Sequence, residues 1–374
     1  MKKQFAFVGP LVLVLFAFVT NLCAQDFRTI KDGIEYAEVT RDISGLSVKM
    51  NLLRLDLSKV RIDVAHAFNK AIGVDTTSNI AKAHGAFAAI NAGFFRLDKS
   101  EYAGDDVGLL IVDGQLWSEP SKDRTAISIV NGGRRTAVSF DRWAFAGDLR
   151  VGSRDFSGIL QGLNREEKDN EVIAYTQAFG EAAPRKPDDT QLVILKGRVR
   201  SFCPTACKIP TGGFVLSGNG SGGKFLEKVK PGDLVKINWR LAADRRTPQE
   251  TSVEDAVTGV PQLIKDGKID ITWEKEKASR SFVETRHPRT AVALLKDGKF
   301  LMITVDGRSR SSGGIGLRDL AEYLLSLGAT DALNLDGGGS TTMFLDGKIV
   351  NQPSDKEGER KVSDALLVTP RNKK

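Results

Sequence analysis

Apolar and polar residues alternate along much of the chain, and this pattern predicts strands more often than helices. Residues 52–57 and 60–64 alternate with a period of two, as strands with one buried face do. Residues 300–305 are continuously apolar and β-branched, which predicts a buried strand. Apolar residues at 317–327 recur at helical spacing, and Gly328 follows where a helix end favours a left-handed residue.

The segment 300–336 has the order strand, helix, strand, which is typical of a βαβ unit whose two strands are parallel. Parallel strands end at the same edge of a sheet, so Asp306 and Asp336 are predicted to lie there. Open α/β sheets bind ligands outside that edge. We therefore expect an α/β (α+β) fold with mixed β-sheets and flanking helices, in which the βαβ unit at 300–336 carries the site.

Hairpins are predicted to dominate outside this unit. Asp-Gly pairs at 113–114, 266–267, 297–298 and 346–347 each lie between apolar strands, which is typical of type I′ turns. Residues 139–255 are mostly β. We expect one catalytic domain over residues 25–370, with 139–255 as a candidate β-rich inserted subdomain.

The first residues are typical of a secretory signal peptide. Lys2 and Lys3 precede an apolar run, and small residues lead to a cleavage position after Ala24. An uncleaved anchor is the alternative, although the run is short for a membrane span. We expect an exported protein, periplasmic or extracellular, with residues 1–24 removed and no stable membrane span afterwards.

Two further features follow from composition. Cys203 and Cys207 predict a small disulfide in an exported protein, with part of a metal site as the alternative. The formal net charge is +7, but basic and acidic residues are interspersed, with no basic stripe interleaved with aromatic residues. We expect no nucleic-acid partner, and the positive charge favours an anionic substrate or an anionic cell envelope.

The strongest candidate site is the loop that follows the strand ending near residue 335. Alternation in that strand places Asn334 and Asp336 on one face. Glycines let the backbone turn sharply, and successive N–H groups in such a turn can bind an anion. The loop residues in question are Gly337, Gly338, Gly339, Ser340, Thr341 and Thr342. An ordinary tight turn is the alternative reading of this loop.

Two other stretches offer polar groups at strand ends. Residues 87–90 form a buried strand that ends in Asn91 and Gly93, and we expect the Asn91 amide to point at a ligand. His287 and Arg289 lie where a charged stretch meets a strand. Arg289 is predicted to bind a ligand. His66 follows another strand, and a structural role is expected for it.

In chain order, five motifs together resemble the phosphodiester glycosidases. They are Asn-Ala-Gly-Phe-Phe at 91–95, His-Pro-Arg-Thr-Ala at 287–291, Asp-Gly-Arg at 306–308, Asn-Leu-Asp-Gly-Gly-Gly-Ser at 334–340 and Glu-Arg-Lys-Val-Ser-Asp-Ala-Leu at 359–366. The resemblance runs from about Gly85 to Val368. Ala92 and Asp364 depart from it, since Gly and Asn are common there. It implies the family's fold and an exported hydrolase that cleaves the anomeric C–O bond of a sugar-1-phosphodiester.

The chemistry of this reaction then suggests roles for residues in these motifs. Asp336 is expected to be the catalytic carboxylate, Asp306 its partner or a metal ligand, and His287 a proton donor or a group that orients the phosphate. The residues expected to bind substrate are Asn91, Gly93, Arg289, Thr290, Arg308, Asn334, Gly337, Gly338, Gly339, Ser340, Thr341 and Arg360. The arginines would supply bidentate contacts to phosphate. A calcium or magnesium ion on Asp306, Asp336 and Asn334 is left open, and no other cofactor is expected.

Two other functions stay open at this point. The first is a non-catalytic envelope module that binds anionic glycans or polymers through the same pocket. The second is a phosphodiesterase that cuts the P–O bond, although the histidines usual for its metal cluster are lacking. The sequence leaves undetermined the sugar, the aglycone, the oligomeric state and whether the anomeric configuration is inverted or retained.

Overall fold

The computed structural model describes residues 26–121, 123–244 and 253–371. The signal peptide predicted at 1–24 lies outside these residues. Strands make up most of the regular structure, and none of the helices in the described ranges combines the length and apolar character needed to cross a bilayer. The expected mixed β-sheets are found in a β-rich fold of several sheets, while the α/β arrangement around a βαβ unit is not confirmed.

The elements fall into three groups along the chain. The first group is β1 (Arg28–Lys31), β2 (Ile34–Ile43), β3 (Leu46–Leu55), β4 (Val60–His66), β5 (Asp75–Thr76), α1 (Thr77–Ala83), β6 (Ala88–Asn91), β7 (Leu110–Val112), β8 (Gln115–Ser118) and β9 (Thr125–Asn131). The middle group is β10 (Thr136–Val151), β11 (Arg154–Leu160), β12 (Gly162–Leu163), β13 (Val172–Thr176), β14 (Thr190–Leu195), β15 (Arg198–Phe202), β16 (Gly213–Gly218), α2 (Gly220–Leu226) and β17 (Val235–Ala243). The last group is β18 (Asp255–Thr258), β19 (Gln262–Lys265), β20 (Lys268–Ile269), α3 (Arg280–Glu284), β21 (Arg289–Leu295), β22 (Phe300–Val305), α4 (Leu317–Ser326), β23 (Ala329–Asn334), β24 (Met343–Leu345), β25 (Lys348–Ile349), β26 (Lys361–Val362) and β27 (Asp364–Pro370).

The largest sheet has eight strands in the order β1-β2-β3-β22-β21-β23-β19-β20, and every neighbouring pair in it is antiparallel. Strands β22 and β23 run in the same direction, because each is antiparallel to β21, which lies between them. The segment 300–336 is therefore not the simple βαβ unit that the sequence predicts. Both strands nevertheless end at the edge where β21 begins.

Both faces of this sheet are buried, which explains the continuous apolar run in β22. Leu301 and Ile303 face α4 and pack with Leu320 of that helix. Phe300 and Met302 face the opposite core, which they share with two other sheets. One of these has the order β25-β24-β6-β27-β4, and the other has the order β11-β10-β9-β18-β7-β8, with β17 paired to β10.

The middle of the chain is mostly β, as the sequence predicts. Strands β12, β13, β16, β14 and β15 form a five-stranded sheet that contributes to a separate hydrophobic core. Strand β10 pairs with β9, so strand pairing joins this region to the rest of the chain. Whether 139–255 is an inserted subdomain stays a prediction. The predicted disulfide is present, with Cys203 and Cys207 joined at an S–S distance of 2.04 Å.

The turn predictions hold at three of the four Asp-Gly pairs. Asp113, Asp266 and Asp346 have positive φ angles of 50°, 50° and 47°, and the glycine after each is also positive, as a type I′ turn requires. At 297–298 only the glycine has a positive φ, so the β21–β22 hairpin uses a different turn. Gly328 follows α4 with a φ of +90°.

Candidate active site

Asp336 follows β23 and is held in place through its backbone. Its N–H donates to the carbonyl of Ala92 at 2.9 Å. Its own carbonyl accepts from the Asn91 side-chain amide at 2.7 Å. The Asp336 carboxylate Oδ1 accepts the N–H of Gly337 at 2.9 Å. These bonds join the end of β6 to the loop after β23 and fix the direction of the Asp336 carboxyl.

Asn91 holds the site together, and its hydrogen-bonding capacity is used within the protein. Besides the Nδ2 bond to Asp336, its Oδ1 accepts from the Thr290 hydroxyl at 2.7 Å and from the backbone N–H of Thr342 at 3.1 Å. Both Asn91 and Thr290 are fully buried. The structure therefore places these two predicted substrate ligands behind the glycine loop, where they position Asp336.

The glycine loop forms a short 3₁₀ turn, and its N–H groups are largely used internally. Gly338 has a φ of +61° and donates its N–H to the Pro288 carbonyl at 2.9 Å. The N–H groups of Ser340 and Thr341 donate to the carbonyls of Gly337 and Gly338. With the Gly337 N–H on Asp336, four loop N–H groups are occupied. The predicted anion-binding concavity is not formed by these groups in this conformation.

Several buried polar atoms at this loop have no hydrogen-bond partner among the described residues. They are the hydroxyl oxygens of Thr341 and Thr342 and the Oδ1 atom of Asn334. The Ser340 hydroxyl makes no hydrogen bond of ordinary geometry, but it lies close enough to the Asp336 carboxyl to lower its pKa. The Asn334 amide nitrogen donates to the carbonyls of Val260 and Leu335. The hydroxyls predicted to bind substrate thus lie beneath the loop rather than on its outer surface.

Arg308 and His287 form the polar group on the outer side of the loop. Arg308 has a φ of +57°, and its Nη2 donates to His287 Nδ1 at 3.3 Å. Burial, Arg289 and Arg308 lower the pKa of His287, so the ring is neutral with its proton on Nε2. Arg308 is exposed and forms no ion pair with a described carboxylate. The Arg308 guanidinium packs closely against Gly338. A Cβ built on Gly338 would lie only 3.1 Å from Arg308 Nη2.

Arg289 is buried, and its guanidinium donates hydrogen bonds to backbone carbonyls. Its Nη2 donates to the carbonyls of Phe282 and Thr285 at 2.6 and 2.9 Å, and its Nε donates to the Ile315 carbonyl at 3.3 Å. Burial and then Arg308 lower the pKa of Arg289 to about 10. The guanidinium therefore joins the end of α3 to the start of α4, and it is not free for the bidentate phosphate contact that the sequence suggested.

Arg360 crosses the glycine loop on its other side. It forms a two-point ion pair with Asp355, at 2.7 and 3.0 Å. A Cβ at Gly339 would overlap the Arg360 guanidinium, so the pair can cross only where residue 339 has no side chain. Arg360 lowers the pKa of Asp336 from this position.

Asp306 lies at the same sheet edge but holds a different loop. Its Oδ1 accepts from the backbone N–H of Gln352 at 3.0 Å and from the Asn351 amide at 3.4 Å. The Asn351 amide also donates to the Thr341 carbonyl at 3.0 Å. Burial raises the pKa of Asp306. The sequence correctly predicts that Asp306 lies at this edge, but its contacts are those of a loop anchor.

These contacts also test the cation site suggested for Asp306, Asp336 and Asn334. Each of the two carboxylates is committed to a different loop, and Asn334 turns its amide nitrogen to backbone carbonyls. In the described ranges, no three His, Cys, Asp or Glu residues come together as a metal-binding group. Asn334 Oδ1 has no partner among the described residues, so a shared cation on these three residues stays a prediction. The chemistry proposed for Asp336 does not depend on it.

The carboxyl of Asp336 has an altered acidity. Burial raises its pKa to about 6, the Ser340 hydroxyl, the Gly337 N–H and Arg360 oppose the rise, and Asp364 adds to it. The residue as a whole is only partly covered, whereas its carboxyl atoms lie deep among protein atoms. Desolvation acts on the carboxyl atoms, so their surroundings set this pKa.

Sequence reasoning missed a buried acidic group next to Asp336. Gly93 donates its N–H to Asp364 Oδ1 at 2.6 Å. Asp364 lies within hydrogen-bonding reach of Asp106, whose Oδ2 is 3.2 Å from His66 Nε2. Asp364 was noticed only as a departure from the family pattern, and Asp106 carried no sequence signal. His66 is structural, as expected, but it belongs to this group.

Part of this chain is similar in sequence to known proteins. The model of the family described as Phosphodiester glycosidase matches residues 189–369. The N-acetylglucosamine-1-phosphodiester alpha-N-acetylglucosaminidase of Bos taurus is 38% identical over 133 residues, which cover 33% of this chain and 25% of that protein. The SPbeta prophage-derived uncharacterized protein YomE of Bacillus subtilis (strain 168) is 42% identical over 107 residues, which cover 29% of this chain and 16% of that protein.

The fold also matches a solved structure. The crystal structure of a hypothetical protein from Synechocystis superposes with a TM-score of 0.78 and 23% identity, covering 92% of this chain and 63% of that one. At this identity the match shows the fold alone. The chain spans a quarter or less of the length of the two curated relatives described above.

Proposed function

Because this chain belongs to the phosphodiester glycosidase family, we propose that it hydrolyses the anomeric C–O bond of a sugar-1-phosphodiester. The products are a free sugar and a phosphomonoester. The observation that carries this proposal is that one loop brings a carboxyl group and a guanidinium group together. The Gly337–Gly339 loop holds the Asp336 carboxyl at its start and packs at Gly338 against the Arg308 guanidinium, which contacts His287 and Ser354 but forms no ion pair with a described carboxylate.

Arg308 and His287 supply the phosphate side of the reaction. The Arg308 guanidinium has donors left after its contact with His287, and an arginine fork matches two phosphate oxygens. The neutral His287 ring carries its proton on Nε2, so it can donate a hydrogen bond to the same phosphate. The leaving group is a phosphate monoester, already a stable anion, so stabilising its charge matters more than protonating it.

Asp336 supplies the carboxylate. In its ionised form it either removes a proton from the attacking water or attacks the anomeric carbon itself. In both routes the bond from the anomeric carbon to the phosphate oxygen breaks, and its electron pair leaves with the phosphate. The water oxygen ends on the sugar. A pKa of about 6 leaves Asp336 mostly ionised at neutral pH and basic enough to accept a proton.

We also propose that the protein acts outside the cytoplasm. The Cys203–Cys207 disulfide supports this, since such bonds persist in oxidising compartments. A glycosyl phosphodiester, free or within an envelope glycan, is the proposed substrate there.

A panel of sugar-1-phosphodiesters tests the function. The mature protein is expected to release free sugar from at least one member, and Asp336→Asn is expected to bind that substrate but turn it over at least about 1,000-fold more slowly. Asp346→Asn changes the same functional group in an exposed hairpin turn and should match the unmodified protein. Tight binding without turnover by any form would instead identify a binding module.

A further inference from the structure

Asp106 and Asp364 face each other beside Gly93, and both side chains are buried. Ser363 Oγ lies 3.2 Å from Asp106 Oδ1 and 3.2 Å from Asp364 Oδ2. A Cβ built on Gly93 would meet the same two oxygens, at 3.3 and 2.7 Å. These two oxygens therefore form the facing pair, within hydrogen-bonding reach of each other.

One outer oxygen of the pair accepts a hydrogen bond, and the other faces a histidine ring. Asp364 Oδ1 accepts from the Gly93 N–H at 2.6 Å. Asp106 Oδ2 lies 3.2 Å from His66 Nε2, and the same nitrogen lies 3.1 Å from the Gly104 carbonyl. The Ser363 hydroxyl has a single proton, which can serve only one of the facing oxygens at a time. One further proton, between Asp106 Oδ1 and Asp364 Oδ2, would let both facing oxygens take part in hydrogen bonds.

Two buried carboxyl groups this close cannot both be ionised, because desolvation and mutual repulsion act together. The titratable groups facing the pair are His66 from β4, Asp105, which precedes Asp106 in the chain, and Asp336 at the end of β23. Burial lowers the pKa of His66, while the negative charge of Asp364 opposes that. Burial raises the pKa of Asp106 to about 7 and that of Asp364 well above its usual range.

We propose that Asp106 and Asp364 form one proton-sharing carboxyl pair that positions Gly93, and with it residues 91–95, beside Asp336. One proton lies between Asp106 Oδ1 and Asp364 Oδ2, and the pair carries a single negative charge. The Gly93 N–H donates to that charge at Asp364 Oδ1, and the His66 ring lies beside Asp106 Oδ2. Asp106 and Asp364 are positioning residues, since they act on the substrate only through Gly93, Asn91 and Asp336.

The pair also limits the charge next to the candidate catalytic carboxyl. Asp364 raises the pKa of Asp336, so a second negative charge in the pair would raise it further. A pair held at one charge keeps Asp336 ionised in the neutral range. This consequence rests on the proposed function, whereas the shared proton itself does not.

Replacement of Asp364 by Asn separates a shared proton from a required charge. The amide group in Asp364→Asn donates N–H to Asp106 and accepts the Gly93 N–H, so it reproduces both bonds permanently. We expect its kcat/KM to stay within a few-fold of the unmodified protein. Asp364→Ala removes the Gly93 bond, and its kcat/KM should fall by roughly 10- to 100-fold.

Two readouts use no substrate and therefore separate this proposal from the proposed function. At neutral pH, the infrared difference between unmodified protein and Asp364→Asn should contain the carbonyl absorption of one protonated carboxyl. The second readout is stability against pH. Because the folded-state pKa is raised, the shared proton stabilises the fold at low pH, and this stability is lost as pH rises from about 4 towards 7. Asp364→Asn should lose less stability over that window.

The outcomes are distinct. A difference spectrum without a protonated carboxyl would overturn the proposal, whatever the activity. So would an Asp364→Asn protein as damaged as Asp364→Ala, since a fixed charge would then be what the site needs. If no sugar phosphodiester is cleaved but the protonated carboxyl is found, only the proposed function fails.

Discussion

Replacement of Gly93 by Ala tests how the site is built. Gly93 has an ordinary φ angle, so an alanine fits the backbone and only space is at issue. The added Cβ would lie 2.7 Å from Asp364 Oδ2 and 3.0 Å from Val257 Cγ2. Both neighbours are about 1% exposed, so neither can move freely.

The expected cost follows from these contacts. Overpacking a buried site costs about 1–3 kcal/mol, and weakening the Gly93 N–H bond to a carboxylate costs about 1.5–3 kcal/mol. Since the two overlap, we expect Gly93→Ala to lower the free energy of unfolding by about 3 kcal/mol. The displaced 91–95 segment should also lower kcat, because the Ala92 carbonyl and the Asn91 amide hold Asp336.

Guanidinium unfolding curves measure the first effect. Gly133→Ala is the matched control, because a Cβ at Gly133 meets nothing within 4 Å and its φ is also ordinary. The effect of Gly→Ala on the unfolded chain, about 0.4–1 kcal/mol, is common to both variants. The reasoning fails if Gly93→Ala is as stable as Gly133→Ala and equally active.

Three further predictions concern the arginines, the acidity of the site and the disulfide. Arg289→Lys should lower the free energy of unfolding, measured by calorimetry, by about 3 kcal/mol, because buried carbonyls lose their donors. Arg308→Gln should lower it by less than about 0.5 kcal/mol but should reduce turnover by at least about 100-fold. Equal stabilities of the two variants would contradict the assigned roles. The kcat/KM should rise with pH through about 6 as Asp336 ionises, and a flat profile from pH 5 to 8 would argue against that carboxylate. Cys203→Ser should lose only about 2 kcal/mol, because the Cys203–Cys207 bridge, with a sequence separation of 4, closes a short loop; unfolding in reductant gives the same comparison.

The sequence predicted local structure better than strand order. Alternation, the helix at 317–327 and three type I′ turns were readable because each depends on residues close together in the chain. The apolar run in β22 correctly indicated burial on both faces. It did not reveal that β21 separates β22 from β23, although the hairpin predicted at 297–298 already joins β21 to β22. The pairing of β22 with β3 joins distant parts of the chain and has no local signal.

The same limit applies to the site. Asp336, Arg308 and His287 could be chosen as candidates, because strand ends and glycines mark where polar groups collect. Whether an arginine binds a ligand or the backbone depends on which carbonyls surround it, so Arg289 could not be told from Arg308. Asp106 was invisible because its partner Asp364 lies 258 positions further along the chain.

Hydrolysis in ¹⁸O-labelled water tests the central claim most directly. The account holds that water, or Asp336 followed by water, attacks the anomeric carbon. Mass spectrometry should then find the label in the released sugar and none in the phosphomonoester, with release by Asp336→Asn at least about 1,000-fold slower. Label in the phosphate would show that the P–O bond breaks, and it would contradict both the proposed reaction and the role given to Asp336.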